Sequence, residues 1–172
     1  MPNPVVRAVI LAAGRGRRAW PYTEVRAKAA LPLLDSSLVR TGAEHIRQAG
    51  IGDLTVVIGP RPGSVRAALT ELEPPPQWAV QPEAAGSADA VRTALHGRDF
   101  DIALVAPGDC FVTPPDLRAV LAPLLEGDAE AALLTAPLEG EAPGDWIGVR
   151  TQNDCVVRLE GHPRGGTRRS TG

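Results

Sequence analysis

The chain alternates short aliphatic runs with stretches of helical spacing, and this alternation restricts the possible folds more than any other feature. Aliphatic runs of four to eight or so residues that end at glycine or proline are typical of strands buried on both faces. Parallel strands need a crossover segment, usually a helix, between them. The order strand, helix, strand therefore predicts an α/β protein with a doubly wound, mostly parallel, Rossmann-like sheet.

Nine elements are predicted in this way. The strands are Val5–Ala13, Leu54–Ile58, Trp78–Val80, Asp101–Ala106 and Ala131–Ala136. The helices are Leu38–Gly50, Ser64–Leu72 with Ser64 as N-cap, Ser87–His96, and a fourth that begins at Pro114 and runs through Leu125.

The pattern changes near the C-terminus. Residues 146–150 and 156–159, separated by the turn letters Gln152-Asn153-Asp154, predict a β-hairpin. Residues 164–172 contain no apolar residue and are predicted to be a disordered tail. We therefore predict one domain over residues 1–163, followed by that tail.

Composition excludes several classes of protein. The 172 residues are 44% hydrophobic, which is enough for a packed core, and the net charge of −2 gives no large nucleic-acid footprint or membrane partner. The two cysteines, Cys110 and Cys155, form neither a disulfide framework nor a zinc motif, so a reduced, cytoplasmic setting is expected. No signal peptide and no membrane-spanning run is predicted.

The first strand ends in a glycine-rich loop, Gly14-Arg-Gly16-Arg-Arg-Ala19, which fits the G-x-G-x-x-A dinucleotide fingerprint. That fingerprint requires a helix directly after the loop, but Pro21 follows five residues after Gly16 and Pro32 comes later. The dinucleotide interpretation therefore fails on context. Glycine amides together with Arg18 and Lys28 favour a polyphosphate site, and a merely solvated basic loop is the alternative from these residues alone.

The longer stretch from Leu11 to Leu33 reads Leu-Ala-Ala-Gly-x-Gly-x-Arg-x-x-Pro-x-Thr-x-x-x-x-Lys-x-x-Leu-Pro-Leu. It resembles the signature of the sugar-1-phosphate nucleotidylyltransferases. Ala27 departs from it, since the family often has proline before the lysine, and so does Ser36-Ser37 in place of Gly-x-Pro. The resemblance implies that Leu11, Ala12, Ala13, Gly14 and Gly16 contact the nucleotide.

Two further segments follow in the order of that family. Gln81, Gly86 and Ser87 resemble its nucleobase-reading segment, with serine in place of threonine. Asp109, after Val105-Ala-Pro-Gly108, resembles the aspartate that binds Mg²⁺. A carboxylate at the carboxyl end of a central strand also lies where open α/β sheets bind ligands.

The resemblance also implies a mechanism. A sugar 1-phosphate attacks the α-phosphorus of a nucleoside triphosphate, and pyrophosphate leaves. Arg18 would hold the pyrophosphate, Lys28 would bridge the reacting phosphates, and Mg²⁺ on Asp109 would neutralise charge. Gly148 and Glu160 resemble the residues that hold the sugar, and Cys110 is predicted to be a small buried residue rather than a nucleophile.

Members of that family usually continue for some tens of residues beyond this point, which leaves three hypotheses. The chain is a short enzyme, with an acceptor pocket that is reduced or completed by a second subunit. Alternatively it is a nucleotide-binding or regulatory module without transfer activity. A molybdopterin-type nucleotidylyltransferase is the third and is disfavoured, because that type has its lysine closer to the glycines and lacks the Arg-x-x-Pro-x-Thr spacing.

Overall fold

The computed structural model of the protein describes residues 3–14, 16, 19–137 and 147–160. Its strands are β1 (Val6–Ala12), β2 (Pro32–Leu33), β3 (Ser36–Ser37), β4 (Asp53–Ile58), β5 (Gln77–Val80), β6 (Ile102–Pro107), β7 (Gly148–Gln152) and β8 (Cys155–Glu160). Its α-helices are α1 (Leu38–Gln48), α2 (Gly63–Ala68), α3 (Ser87–Leu95) and α4 (Pro114–Leu125). Two 3-10 turns, Tyr22–Glu24 and Lys28–Ala30, lie in the loop after β1.

Four parallel strands form the main sheet in the order β5-β4-β1-β6. From β1 the chain moves outward to β4 and β5, and then returns through α3 to the other side of β1 as β6. The direction of winding therefore reverses between β1 and β6. In open α/β sheets ligands bind at the carboxyl end of such a reversal. The predicted α/β class and parallel sheet are confirmed.

Alternate residues of the strands supply two apolar layers, as the two-residue period of a strand requires. On one face Ile10 and Val56 pack with α1, α2 and α4, whose buried residues include Ile46 and Leu117. On the other face Val9 packs with Val57 and with Ala90 and Ala94 of α3. Both Val9 and Val56 are fully buried, and burial on both faces explains why the interiors of β1 and β4 are almost entirely aliphatic.

The end of α1 follows the predicted glycine stop. Gly50 has a φ of +97°, its N–H donates to the Arg47 carbonyl, and the Ile51 N–H donates to the Ile46 carbonyl. These two bonds make a Schellman motif, in which glycine is favoured because a Cβ is strained at positive φ. The buried side chains of Ile46 and Ile51 accompany it.

The second helix differs from its prediction. It ends at Ala68, where helical spacing predicted Leu72, although Leu69 and Leu72 are still buried. Ser64 lies inside α2 and is not its N-cap; its Oγ accepts a hydrogen bond from the Ala27 N–H at 2.9 Å. The apolar spacing therefore reports burial correctly but overestimates the length of the helix.

The predicted strand Ala131–Ala136 is wrong: no strand is formed at these residues. Leu133 and Leu134 are about half exposed, at 52% and 47%. A short apolar run becomes a strand only when a neighbouring strand accepts its hydrogen bonds, and among the described residues none does so here.

The chain divides into two compact units, Met1–Ala132 and Leu133–Gly172. In the second unit the predicted hairpin is confirmed: β7 and β8 pair antiparallel, with Gln152 opposite Cys155. Asn153 and Asp154 between them have φ values of 49° and 60°, as a two-residue type I′ turn requires. The proposed domain end at residue 163 and the tail lie outside the described residues and stay predictions.

Among the described residues, no helix is long and apolar enough to cross a membrane.

The N-terminus of α4 offers a test of local stability. Thr113 and Asp116 form a capping box, in which each side chain accepts a hydrogen bond from the other residue's backbone N–H. We predict that Thr113→Ala lowers the free energy of unfolding by about 1 kcal/mol, as loss of a cap does. Urea unfolding measures the change, with Thr70→Ala as the control because its exposed hydroxyl bonds only within one turn, to the Arg66 carbonyl. Equal losses in the two variants would contradict the capping role.

Candidate functional site

The loops that follow β1 and β6 meet at the point where the sheet reverses its winding. The Gly108 N–H donates to the Leu11 carbonyl at 2.9 Å, so the two strand ends stay in contact beyond their last paired residues. A Cβ on Gly108 would lie 3.0 Å from the Leu11 oxygen and 3.1 Å from the Ala29 Cβ. Glycine at position 108 thus lets the lysine-bearing turn approach the end of β6.

Lys28 and Asp109 form an ion pair at this edge. The Lys28 Nζ donates to Asp109 Oδ2 at 2.5 Å, and their side chains are 38% and 32% exposed. An ion pair open to solvent contributes only about 0–1 kcal/mol to stability, so a charged ligand can separate it at small cost. The pair therefore combines an ammonium that can bind phosphate with a carboxylate that can bind a cation.

Lys28 has a further distinction that the motif alone does not show. It is the only lysine among the 18 lysine and arginine residues of the sequence. The ammonium is a compact charge on a flexible stem, whereas guanidinium is a planar fork that favours bidentate contacts. A chain that otherwise uses arginine throughout has its single lysine at this edge.

Gly16 packs against the turn that carries Lys28. Its φ is +60°, and an added Cβ would lie 2.8 Å from Thr23 Cγ2 and 3.0 Å from Lys28 Cβ. Its carbonyl accepts hydrogen bonds from the Ala19 N–H and from the Thr23 hydroxyl. Gly14 is different, since a Cβ there would meet nothing within 4 Å. The two glycines of the loop therefore have separate roles: Gly16 packs, and Gly14 leaves open space.

The backbone just before Lys28 is tied to α2. The Ala27 N–H donates to Ser64 Oγ at 2.9 Å. Ala27 has φ −59° and ψ 143°, which a proline could also adopt, but proline has no N–H to donate. The departure of Ala27 from the family signature thus coincides with a contact that only a non-proline residue makes.

The segment that is predicted to read the nucleobase lies at the carboxyl edge of the same sheet, after β5. Gln81 is 4% exposed, and its Nε2 donates to the Gly86 carbonyl at 3.1 Å and to Asp89 Oδ2 at 2.8 Å. Gly86 is the N-cap position of α3 with φ +106°, and exposed Ser87 is the first residue of the helix. The structure therefore joins Gln81 and Gly86 by a direct bond, and adds Asp89, which the motif did not include.

The other residues that are predicted to contact the nucleotide lie on β1 or just after it. Leu11 and Ala12 are its last residues, Ala12 is buried, and Ala13 and exposed Gly14 follow. The Ala13 carbonyl oxygen would lie 3.2 Å from a Cβ on Gly59, so the end of β4 also approaches this point. Arg18 lies outside the described residues, and its predicted contact with pyrophosphate stays a prediction.

The two residues predicted to hold the sugar belong to the hairpin. Gly148 opens β7, and its register partner across the hairpin is Glu160, the last residue of β8. The sequence separates these two residues by twelve positions, and the hairpin brings their backbones side by side. Their role toward a sugar remains a prediction.

The described part of the chain has no metal site built from protein side chains alone, since no group of three or more His, Cys, Asp or Glu residues that could hold a metal ion occurs there. Asp109 fits a different arrangement. Mg²⁺ is usually held by one or two carboxylates together with substrate phosphates and water, rather than by protein alone. A single carboxylate beside an open loop suits a cation that arrives with a triphosphate.

Cys110, the residue after Asp109, differs in burial from its prediction. Cys110 is exposed, which corrects its prediction as a small buried residue, because it follows Asp109 in the open loop after β6. Partial desolvation and the neighbouring Asp109 carboxylate raise the pKa of its thiol. A raised pKa lowers the thiolate fraction, which agrees with the prediction that Cys110 is not a nucleophile.

The glycine pair gives a matched test of this geometry. We predict that Gly16→Ala lowers the free energy of unfolding by roughly 1–3 kcal/mol, because it forces a Cβ into positive φ and against Thr23 and Lys28. Gly14→Ala, which adds the same methyl group two residues away, should change it by less than about 0.5 kcal/mol. Urea unfolding of both variants checks the difference. A Gly14 loss as large as the Gly16 loss would show that the loop is packed differently.

Comparison with known proteins agrees with this arrangement. The family model of the MobA-like NTP transferase domain matches residues 8–168. The bifunctional protein GlmU of Azorhizobium caulinodans is 32% identical over 154 residues, which is 88% of this chain and 33% of the relative. A bifunctional sugar-1-phosphate nucleotidylyltransferase/acetyltransferase of Sulfurisphaera tokodaii is 43% identical over 53 residues, 31% of this chain and 13% of the relative.

A solved structure shows the same fold. A Bacillus anthracis protein described as a glucose-1-phosphate thymidylyltransferase superposes with a TM-score of 0.75 and 23% identity over 93% of this chain and 65% of its own. The chain spans about one third of the length of the GlmU relatives that it matches. These matches confirm the resemblance to sugar-1-phosphate nucleotidylyltransferases. The chain belongs to the MobA-like NTP transferase family.

Proposed function

We propose that the protein is a nucleotidylyltransferase that transfers a nucleoside monophosphate from a nucleoside triphosphate to a sugar 1-phosphate and releases pyrophosphate. The observation that carries this proposal is the Lys28–Asp109 ion pair at the reversal between β1 and β6. Relatives named as sugar-1-phosphate nucleotidylyltransferase and glucose-1-phosphate thymidylyltransferase support the choice of acceptor.

In this proposal the reaction requires position and charge rather than a covalent intermediate. Gly14 leaves space for phosphate against the backbone, and Gly16 holds the turn that carries Lys28. The Lys28 ammonium leaves Asp109 and binds the reacting phosphates, where it stabilises the negative charge that develops during transfer. Arg18 binds the departing pyrophosphate. The hydrogen-bonded Gln81 and Gly86, with Ser87, bind the base.

Asp109 is the proposed Mg²⁺ ligand. Its carboxylate is a hard oxygen donor, and separation from Lys28 frees Oδ2 for the cation. The bound ion would supply neutralisation of phosphate charge. Gly148 and Glu160 are proposed to contact the sugar, since the hairpin pairs them directly.

The acceptor reaction separates this function from the alternatives. The protein is incubated with Mg²⁺, each nucleoside triphosphate and, in separate reactions, a panel of sugar 1-phosphates or molybdopterin, and pyrophosphate is measured. Binding is measured separately by acetylation of the single ε-amine, Lys28, with the N-terminal α-amine as internal control. Protection of Lys28 by triphosphate without pyrophosphate release from any pair would leave a binding or regulatory module. Release only with a molybdopterin acceptor would assign the third type.

We predict that Lys28→Ala lowers kcat/KM for pyrophosphate release by roughly 10²-fold or more, as loss of a charge-stabilising group does. The fold should persist, because Lys28 is partly exposed and its ion pair contributes little to stability. Lys28→Arg is the matched variant; it keeps the charge but changes its shape, and should recover only part of the rate. Full activity in Lys28→Ala would exclude the proposed role.

Asp109→Asn should raise the Mg²⁺ concentration needed for half-maximal rate by roughly tenfold or more, because an amide oxygen binds a divalent cation more weakly than a carboxylate does. The control is Asp128→Asn, which removes an exposed carboxylate just beyond the C-terminal end of α4. Titration of the rate with Mg²⁺ measures both. An unchanged midpoint in Asp109→Asn would remove Asp109 as the ligand.

A further inference from the structure

The side-chain amide of Gln81 is held in one orientation. Its Nε2 donates one hydrogen bond to the Gly86 carbonyl and one to Asp89 Oδ2. A backbone carbonyl and a carboxylate can only accept hydrogen bonds, so the amide cannot be turned over without placing oxygen against oxygen twice. The orientation of this buried glutamine is therefore set by its neighbours.

Asp89 remains an acceptor at neutral pH. The hydrogen bond from Gln81 holds the pKa of its carboxyl below the usual value, and a bond from Arg92 lowers it further. A lowered pKa means that the carboxylate is charged throughout the neutral range. Arg92 contacts the other oxygen, Oδ1, at 2.6 Å and is 80% exposed, so it does not compete for the oxygen that faces Gln81.

The backbone around this contact is fixed on both sides. The Gln81 N–H donates to the Ile58 carbonyl of β4 at 2.9 Å, which anchors the residue to the sheet. Asp89 is in the first turn of α3, and the next residue, Ala90, is buried against β1 and β4. Gln81 and Asp89 are therefore both anchored to the main sheet, Gln81 by its N–H and Asp89 through the neighbouring Ala90.

Both Nε2 hydrogens are used, so within the Gln81 side chain the oxygen Oε1 is the atom for which the described residues provide no hydrogen-bond partner. We propose that Asp89 is a positioning residue that presents the Gln81 oxygen, and not its nitrogen, to the nucleobase. This inference rests on the proposed function, in which Gln81 contacts the base.

The orientation has a consequence for the substrate. Facing the ring nitrogen of the base edge, the Gln81 oxygen pairs with a base whose ring nitrogen carries a proton, as in uracil, thymine and guanine. Cytosine and adenine have an acceptor at the equivalent ring nitrogen, so this contact leaves two facing acceptors unpaired; the donors of these two bases are their exocyclic amines, which lie to the side of the ring nitrogen. Asp89 therefore makes the protein favour triphosphates of the first group, although it does not touch the base.

Calorimetric titration tests this preference with two matched pairs, UTP against CTP and GTP against ATP, in the presence of Mg²⁺ and without acceptor. The intact protein should bind the first member of its preferred pair at least roughly tenfold more tightly, as an unpaired buried acceptor implies. Asp89→Ala removes the acceptor and frees the Gln81 amide to rotate. The base ratio, which is the ratio of the two dissociation constants in a pair, should then fall toward one. Arg92→Ala removes the other partner of Asp89 and should keep the ratio of the intact protein.

A second measurement follows the amide itself in the protein without nucleotide. Both side-chain N–H protons of Gln81, assigned by their loss in Gln81→Met, should exchange with solvent more slowly than those of the other three glutamines. Asp89→Ala should speed this exchange and Arg92→Ala should not. Asp89→Asn, which keeps the size of the side chain, serves as a second variant and should weaken both the base ratio and the protection.

An unchanged base ratio in both Asp89 variants, or tighter binding of CTP and ATP by the intact protein, would overturn the inference. Unchanged amide exchange in Asp89→Ala would overturn it as well. Failure of the proposed function looks different: no triphosphate binds to the intact protein, while Gln81 exchange still responds to Asp89.

Discussion

The parallel pairing of β6 with β1 is the constraint on which the rest of the site depends. Its register places Leu11 opposite Pro107, and the ladder is extended by the bond from the Gly108 N–H to the Leu11 carbonyl. Asp109 is the next residue and lies beside the loop that leaves β1, where it pairs with Lys28. A carboxylate and a glycine-rich loop that are almost a hundred residues apart in sequence become neighbours because two strands run side by side.

Much of the fold follows from local pattern. The interiors of β1 and β4 are almost entirely aliphatic because both of their faces are covered, and short aliphatic runs of this kind are typical of buried strands. The glycine after α1 and the turn letters of the hairpin also encode their structures directly, through positive φ. The failed strand at 131–136 shows the limit of this logic, because its letters are equally apolar but a strand needs a partner that the letters do not specify.

Some residues of the candidate site can likewise be predicted from the sequence, whereas others cannot. Lys28 and Asp109 are predictable because a spaced motif names each of them, although the motif does not state that they touch. Asp89 and Ser64 have no such signal: an acid in the first turn of a helix and a serine near a helix start are ordinary features. Only the tertiary structure shows that each reaches a residue of the site, through the Gln81 amide in one case and the Ala27 N–H in the other.

The contact between Ala27 and Ser64 changes how the lysine turn is held in place. A proline at position 27 would restrict the unfolded chain and make the turn less costly in conformational entropy. Alanine leaves that entropy to be lost on folding, and a hydrogen bond to α2 offsets part of it. The position of the lysine backbone is therefore set partly by a six-residue helix on another segment of the chain. The hydrogen bond from Ala27 to Ser64 thus couples the backbone beside Lys28 to the position of α2.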